Sequence, residues 1–231
     1  AVDIPVFGSL NGTTAGGWTE YARLIEQAGA DALELNTYDL ALDPEQDSKT
    51  VEDRTVALVK AVRGSITVPL AVKLSPFYTS LPNLAGRLVD AGANGVVLFN
   101  RFYQPDIDVE QLEVRRLDLS DPTELLLRLH WLAILSGRLE ASLAATGGAH
   151  SALDVVKAVM AGAHAVQMVS ALLRNGPAHL TAVLEQLSTW LEEHEYESLR
   201  QMQGSMNLTR CPDPQAYQRA NYIQLLESWR D

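Results

Sequence analysis

The sequence predicts an α/β fold made of parallel crossover units, a (β/α)8-type barrel of which six of the eight units are present, and three observations carry that prediction. One motif recurs, as QAGADALELN at 27–36, DAGANGVVLFN at 90–100 and MAGAHAVQMVS at 160–170. Each copy is a helix end, an Ala-Gly-Ala stop and a short apolar strand closing on a polar residue. Helical and strand-like segments alternate along the chain, which implies a parallel sheet. Two consecutive strand-then-helix units across 143–177 complete the case, because such barrels place a phosphate site after their last two strands.

Taken in order, the strands fall at 4–10, 32–36, 70–75, 95–100, 141–146 and 164–169. Helices with apolar residues close to the helical period lie between them, near 18–28, 50–63, 81–91, 122–136 and 151–161. From 101 to 120 the pattern changes. Ile107, Val109, Leu112, Val114 and Leu117 there predict a short two-stranded excursion, placed over the barrel mouth or in a subunit contact, so a homodimer is admitted as a partner. A helical tail follows, at about 178–194, then to Gln203, then 213–229, and it is expected to pack on the barrel so that 1–231 forms one domain. A closed barrel needs eight strands. With six found and the phosphate pair at the end, the absent units are expected to be the first two. An open barrel, or a gap filled by another chain, should result.

At 231 residues and 47% hydrophobic content, the chain can bury a full core. A net charge of −11 argues against nucleic acid or an anionic membrane as partner, since both would repel this surface. One cysteine, Cys211, excludes an internal disulfide and any thiolate cluster, which fits a reducing, cytoplasmic setting. No apolar run approaches the roughly 20 residues of a membrane span. The chain opens at Ala1 in strand-like residues, so a preceding part is expected to have been removed. The histidines lack metal-ligand spacing, and no metal is expected; only His150 lies near the predicted site.

That site is predicted from two sets of residues. Strand 141–146 runs into Gly147-Gly148, Ser151 can cap the next helix, and strand 164–169 runs into Ser170-Ala171. Glycines permit close backbone approach, and helix starts offer unpaired N–H groups, so a phosphate is expected there; a tight turn without ligand is the plainer alternative. The second set lies on the strands. Side chains alternate, so Glu34 and Asn36 share one face, as do Ala71, Lys73 and Ser75. A lysine inside PLAVKLS must meet a carboxylate such as Glu34, or a ligand at the strand's carboxyl end. Asn36 and Asn100 close equivalent strands on either side of it.

The stretches ALELN at 32–36, AVKLSP at 71–76, VVLFN at 96–100, and ATGG followed by VSALL across 145–173 resemble the dihydroorotate dehydrogenase family of flavin-dependent TIM barrels, in its dihydroorotate dehydrogenase-like branch. The resemblance implies FMN, an oxidoreductase and a place in pyrimidine biosynthesis. It also implies that Lys73 contacts the isoalloxazine, that Asn36 and Asn100 serve flavin and substrate, and that the backbone at Gly147, Gly148, Ser170 and Ala171 holds the FMN phosphate. Two departures stand out. Family members carry a serine-cysteine-proline-asparagine segment after the first Asn, where this chain has Thr37-Tyr38-Asp39-Leu40-Ala41. Asp39 falls at the cysteine position and Ala41 at that of a substrate-binding Asn, which argues against dihydroorotate itself.

The resulting expectation is an FMN-dependent oxidoreductase acting on a small anionic molecule, with Lys73 and Asp39 as catalytic residues. Two rivals stand beside it. One is a Schiff-base aldolase or lyase using Lys73. The other is a flavin-binding barrel without turnover.

Overall fold

The computed structural model describes residues 2–11, 15–38, 40–101, 105–115 and 119–218. In chain order these form β1 (Phe7–Leu10), α1 (Ala15–Gln27), β2 (Ala32–Asn36), α2 (Ser48–Arg63), β3 (Leu70–Leu74), α3 (Leu81–Asp90) and β4 (Gly95–Leu98). A hairpin of β5 (Asp106–Asp108) and β6 (Glu113–Arg115) follows. The chain continues through a 3-10 turn (Pro122–Glu124), α4 (Leu125–Leu135), β7 (Ser142–Thr146), α5 (Ala152–Ala161), β8 (Ala165–Gln167) and α6 (Ser170–Asn175). It closes with α7 (Ala178–Glu193), α8 (Leu199–Met202) and α9 (Gln215–Gln218).

Six strands pair in parallel in the order β1-β2-β3-β4-β7-β8, while β5 and β6 pair only with each other, antiparallel. Alternation along the strands separates two faces. Leu33, Leu35, Leu70, Val72, Leu74, Val96, Leu98, Leu143 and Ala145 pack against apolar residues of the flanking helices, among them Ala22, Val59, Leu84, Leu88, Leu132 and Ala158, in one buried core. The opposite face carries Glu34, Asn36 and Lys73, with Asn36 opposite Lys73 in the ladder. This inner face is concave. Across a flat sheet β2 and β8 would lie about 19 Å apart, four strand spacings, yet Gln167 Nε2 donates to Glu34 Oε2 at 2.6 Å. Only a sheet curled into part of a barrel brings those side chains together.

Strand ends are shorter than the sequence pattern suggests, because ladder pairing stops before apolar character does. The strand expected at 4–10 begins at Phe7; before it, Val6 N–H donates to the Asp31 side chain at 2.7 Å and Val6 C=O accepts from Asp31 N–H. The strand expected at 164–169 is confined to Ala165–Gln167. Likewise the helix expected over 122–136 divides into the 3-10 turn and α4, where Asp121 caps the turn by accepting from Thr123 N–H. Of the helix expected over 213–229, residues 219 onward lie outside the described residues, as does Leu117. No helix among the described residues is long and apolar enough to cross a membrane.

Candidate active site

Glu34, only 6% exposed, is the hub of the inner face. Its Oε1 accepts from Lys73 Nζ at 2.6 Å and from the Ser9 hydroxyl at 3.4 Å, and its Oε2 accepts from Gln167. Strand geometry makes this possible, since β2 sits between β1 and β3: Ser9 lies directly opposite Glu34, and Lys73, opposite Asn36, reaches back along the strand to it. The ion pair foreseen from the lysine inside an apolar strand is therefore present, and a carboxylate with donors on several sides can be tolerated where an isolated one could not.

Toward the carboxyl ends of the strands the satisfaction stops. The Asn36 Oδ1 and Asn100 Nδ2 atoms are buried without a hydrogen-bond partner. Thr37, the next residue after Asn36, is buried and turned the other way: its N–H and hydroxyl both donate to the Lys73 carbonyl, at 3.1 and 2.9 Å, fixing β2 and β3 in register. Asn100 N–H donates to Leu74 C=O at 2.7 Å and ties the end of β4 to β3 in the same way. Buried amide atoms left unpaired cost free energy, on the order of 1–3 kcal/mol each, a cost that a polar ligand at the strand ends would offset. Asp39 lies outside the described residues, and Ala41 is exposed, next to exposed Leu40 and Leu42.

After β7 the chain turns through Gly147 and Gly148, both with positive φ, 88° and 83°. A Cβ on Gly148 would lie 2.3 Å from the Leu125 nitrogen, and one on Gly147 would lie 2.9 Å from Arg128 Nη2. The glycines are thus required by α4 whether or not a ligand is present. Ser151 caps α5 as expected: its Oγ accepts from Asp154 N–H, while Asp154 Oδ2 accepts from His150 N–H, Ser151 N–H and the Ser151 hydroxyl in a capping box. By contrast, none of the described hydrogen bonds is donated by the N–H of Gly147, Gly148, Ser170 or Ala171. Ser170 Oγ accepts from both the N–H and the hydroxyl of Ser120, at 3.1 and 2.7 Å, which leaves its own hydrogen to be donated elsewhere.

Sequence reasoning missed Gln167, Ser120 and Arg128. Gln167 had a signal, since it is the polar residue of an apolar strand, as Glu34 and Lys73 are. Ser120 and Arg128 had none, because they reach the site from the segment before α4 and from α4 itself. Arg128 donates from Nε to Thr146 C=O at 3.0 Å and from Nη1 to Glu124 C=O at 2.7 Å. Burial pushes its guanidinium below the usual arginine range.

A parallel sheet whose polar side chains gather at strand carboxyl ends, above an apolar layer and beside a glycine turn, defines the catalytic face of a βα-barrel enzyme. The chain belongs to the dihydroorotate dehydrogenase family, whose model, described as Dihydroorotate dehydrogenase, matches residues 1–191. It is 31% identical over 215 residues to a protein of Aeropyrum pernix that carries the provisional name dihydroorotate dehydrogenase A (fumarate), covering 87% of this chain and 67% of that one. Against the dihydroorotate dehydrogenase B (NAD(+)) catalytic subunit of Thermoplasma acidophilum the identity is 27% over 209 residues, covering 87% and 68%. The corresponding subunit of Desulforudis audaxviator is 30% identical over 218 residues, covering 90% and 69%. Enzymes of this family are FMN-dependent oxidoreductases, and this chain takes its place among them.

Proposed function

We propose that the chain holds FMN across the carboxyl ends of β2, β3, β4, β7 and β8 and oxidises a small anionic substrate that is not dihydroorotate. The observation that carries this reading is the pair of buried, unpartnered amide atoms, Asn36 Oδ1 and Asn100 Nδ2, on the strands flanking that of Lys73. A heterocycle with both donors and acceptors on its edge fits such a pair, and the N–H groups of Gly147, Gly148, Ser170 and Ala171 fit a phosphate. FMN, when bound, supplies the acceptor for a hydride leaving a substrate carbon.

In this proposal the chain's own residues bind and orient. Lys73, anchored by Glu34 at 2.6 Å, presents an ammonium to the ring, and Thr37 holds its strand from the far side. Asn36 and Asn100 fix ring and substrate. Asp39 is the proposed base for the substrate proton, a role resting on its sequence position alone, and a positioned base is commonly worth about 100- to 10,000-fold in rate. The lyase alternative is disfavoured, since pairing with Glu34 favours the charged, non-nucleophilic form of Lys73 and the family is one of oxidoreductases. We include a homodimer in the proposal, supported by the β5–β6 hairpin, where Ile107, Val109, Leu112 and Val114 are all exposed.

The test is the absorption spectrum of the purified protein, followed by anaerobic mixing with dihydroorotate and with a panel of other small acids. Flavin colour, slow bleaching by dihydroorotate and faster, Asp39-dependent bleaching by another acid are expected. Fast bleaching by dihydroorotate in both parent and Asp39→Asn would overturn the substrate reading. Flavin held but bleached by no acid would favour binding without turnover.

A further inference from the structure

Resting on that FMN reading, we infer that Arg128 is a direct ligand of the cofactor's phosphate. Its side chain is 6% exposed and lies flat against the Gly147 backbone, since a Cβ there would be 2.9 Å from Nη2, 3.4 Å from Cζ and 3.5 Å from Nε. Two of its nitrogens are committed, Nε to Thr146 C=O and Nη1 to Glu124 C=O. Nη2 is not. It donates none of the described hydrogen bonds, and its one ion-pair contact among the described residues, Glu124 Oε2 at 3.6 Å, is beyond hydrogen-bonding distance. The nitrogen with hydrogens to spare is therefore the one beside the glycine turn.

Charge points the same way. Glu124 divides its carboxylate between Arg128 and Arg101, whose Nε lies 3.3 Å from Oε1. Two other carboxylates near the turn are engaged, Asp154 by the capping box of α5 and Asp121 by Thr123. A buried guanidinium with incomplete compensation, in a chain whose net charge is −11, suits a phosphate monoester, whose oxygens accept from guanidinium forks. The two bonds from Nε and Nη1 fix the plane of the fork before any ligand arrives. Gly147 is then small for a reason in addition to its positive φ: a side chain there would cover Nη2.

The experiment titrates the purified protein with FMN and with riboflavin, which has the same ring and no phosphate, following the quenching of flavin fluorescence. The parent should prefer FMN. Arg128→Met should weaken FMN by roughly 10- to 100-fold, the range for a hydrogen bond to a charged group, and change riboflavin by less than about twofold. Arg128→Lys should fall between, keeping charge and losing the fork. Equal weakening of both flavins in Arg128→Met would show that the residue only supports the turn, and no change in either would remove it from the site; both overturn the inference while leaving FMN binding intact. A parent with no preference for FMN would instead overturn the phosphate site itself. Should Arg128→Met fail to fold, Glu124→Gln serves, because removing the shared counter-charge should raise the preference for FMN several-fold, and an unchanged preference would count against Arg128.

Discussion

Two layers of the inner face, marked by Glu34 and Asn36 two residues apart along β2, are built on opposite terms. In the lower layer Ser9, Lys73 and Gln167 all donate to Glu34, the first two from the strands on either side of β2 and Gln167 from β8, four strands away. In the upper layer Asn36 Oδ1 and Asn100 Nδ2 find no hydrogen-bond partner among the described residues. Inward polar side chains on one sheet thus form a closed cluster in one place and are left with unpaired atoms in the next. The lower layer should govern stability, the upper one affinity.

The largest effect should come from breaking the lower layer. Glu34→Ala leaves the Lys73 ammonium without its carboxylate, and loss of one partner of such a buried pair costs about 3–5 kcal/mol. Urea unfolding should show a large fall in midpoint, and a change below about 1 kcal/mol would mean that water already screens the pair. Next in size is Gly148→Ala, where the constraint is steric. With φ at 83° and the Leu125 nitrogen 2.3 Å from the new Cβ, a loss of about 2–3 kcal/mol is expected with or without flavin. A loss of affinity in that variant would therefore say little about the phosphate, which is why Arg128 is the better probe.

The upper layer should respond with the opposite sign. Asn100→Ala removes an unpaired buried amide, so the flavin-free protein should be unchanged or up to about 1 kcal/mol more stable, while FMN binds more weakly. A drop of more than about 1 kcal/mol in the flavin-free protein would return Asn100 to the structural layer. The smallest effect concerns acid. Hydrogen bonds from Thr50, by side chain first and backbone second, hold the Asp47 carboxyl below the usual aspartate range at the start of α2. A depressed folded pKa contributes stability above the ordinary value of about 3.9, and that contribution disappears as pH falls through the lower folded value. Asp47→Ala should flatten this part of the acid-unfolding curve, whereas a curve with unchanged slope would assign the acid sensitivity to other carboxylates.

The sheet order and the lower layer were largely legible in the sequence because both follow from periodicity. Alternation placed Glu34 and Lys73 on inward faces, and an ammonium in an apolar strand demanded its carboxylate. The Ala-Gly-Ala repeats marked each helix-to-strand return. What stayed hidden was whatever reaches the site sideways. Arg128 sits in a helix whose sequence, LLLRLHWLAIL, reads as a charged interruption on an apolar surface, and no spacing rule aims its guanidinium at Gly147. The capping box over α5 was half visible, with Ser151 recognised and Asp154 not. Its reach back to the N–H groups of His150 and Ser151 needed the side-chain bonds themselves.

The hydrogen bond between Glu34 and Gln167 joins residues 133 positions apart. During synthesis at about 5–20 residues per second, β2 is made roughly 7–27 s before β8 exists. Through that interval the Glu34 carboxylate lacks its last donor, and the glycine turn after β7 lacks the strand beside it. A nascent chain stalled before residue 165 therefore has an unfinished inner face, however much of the sheet has paired. The polar cluster around Glu34 is in this way completed only with the arrival of β8, the last strand of the sheet to be made.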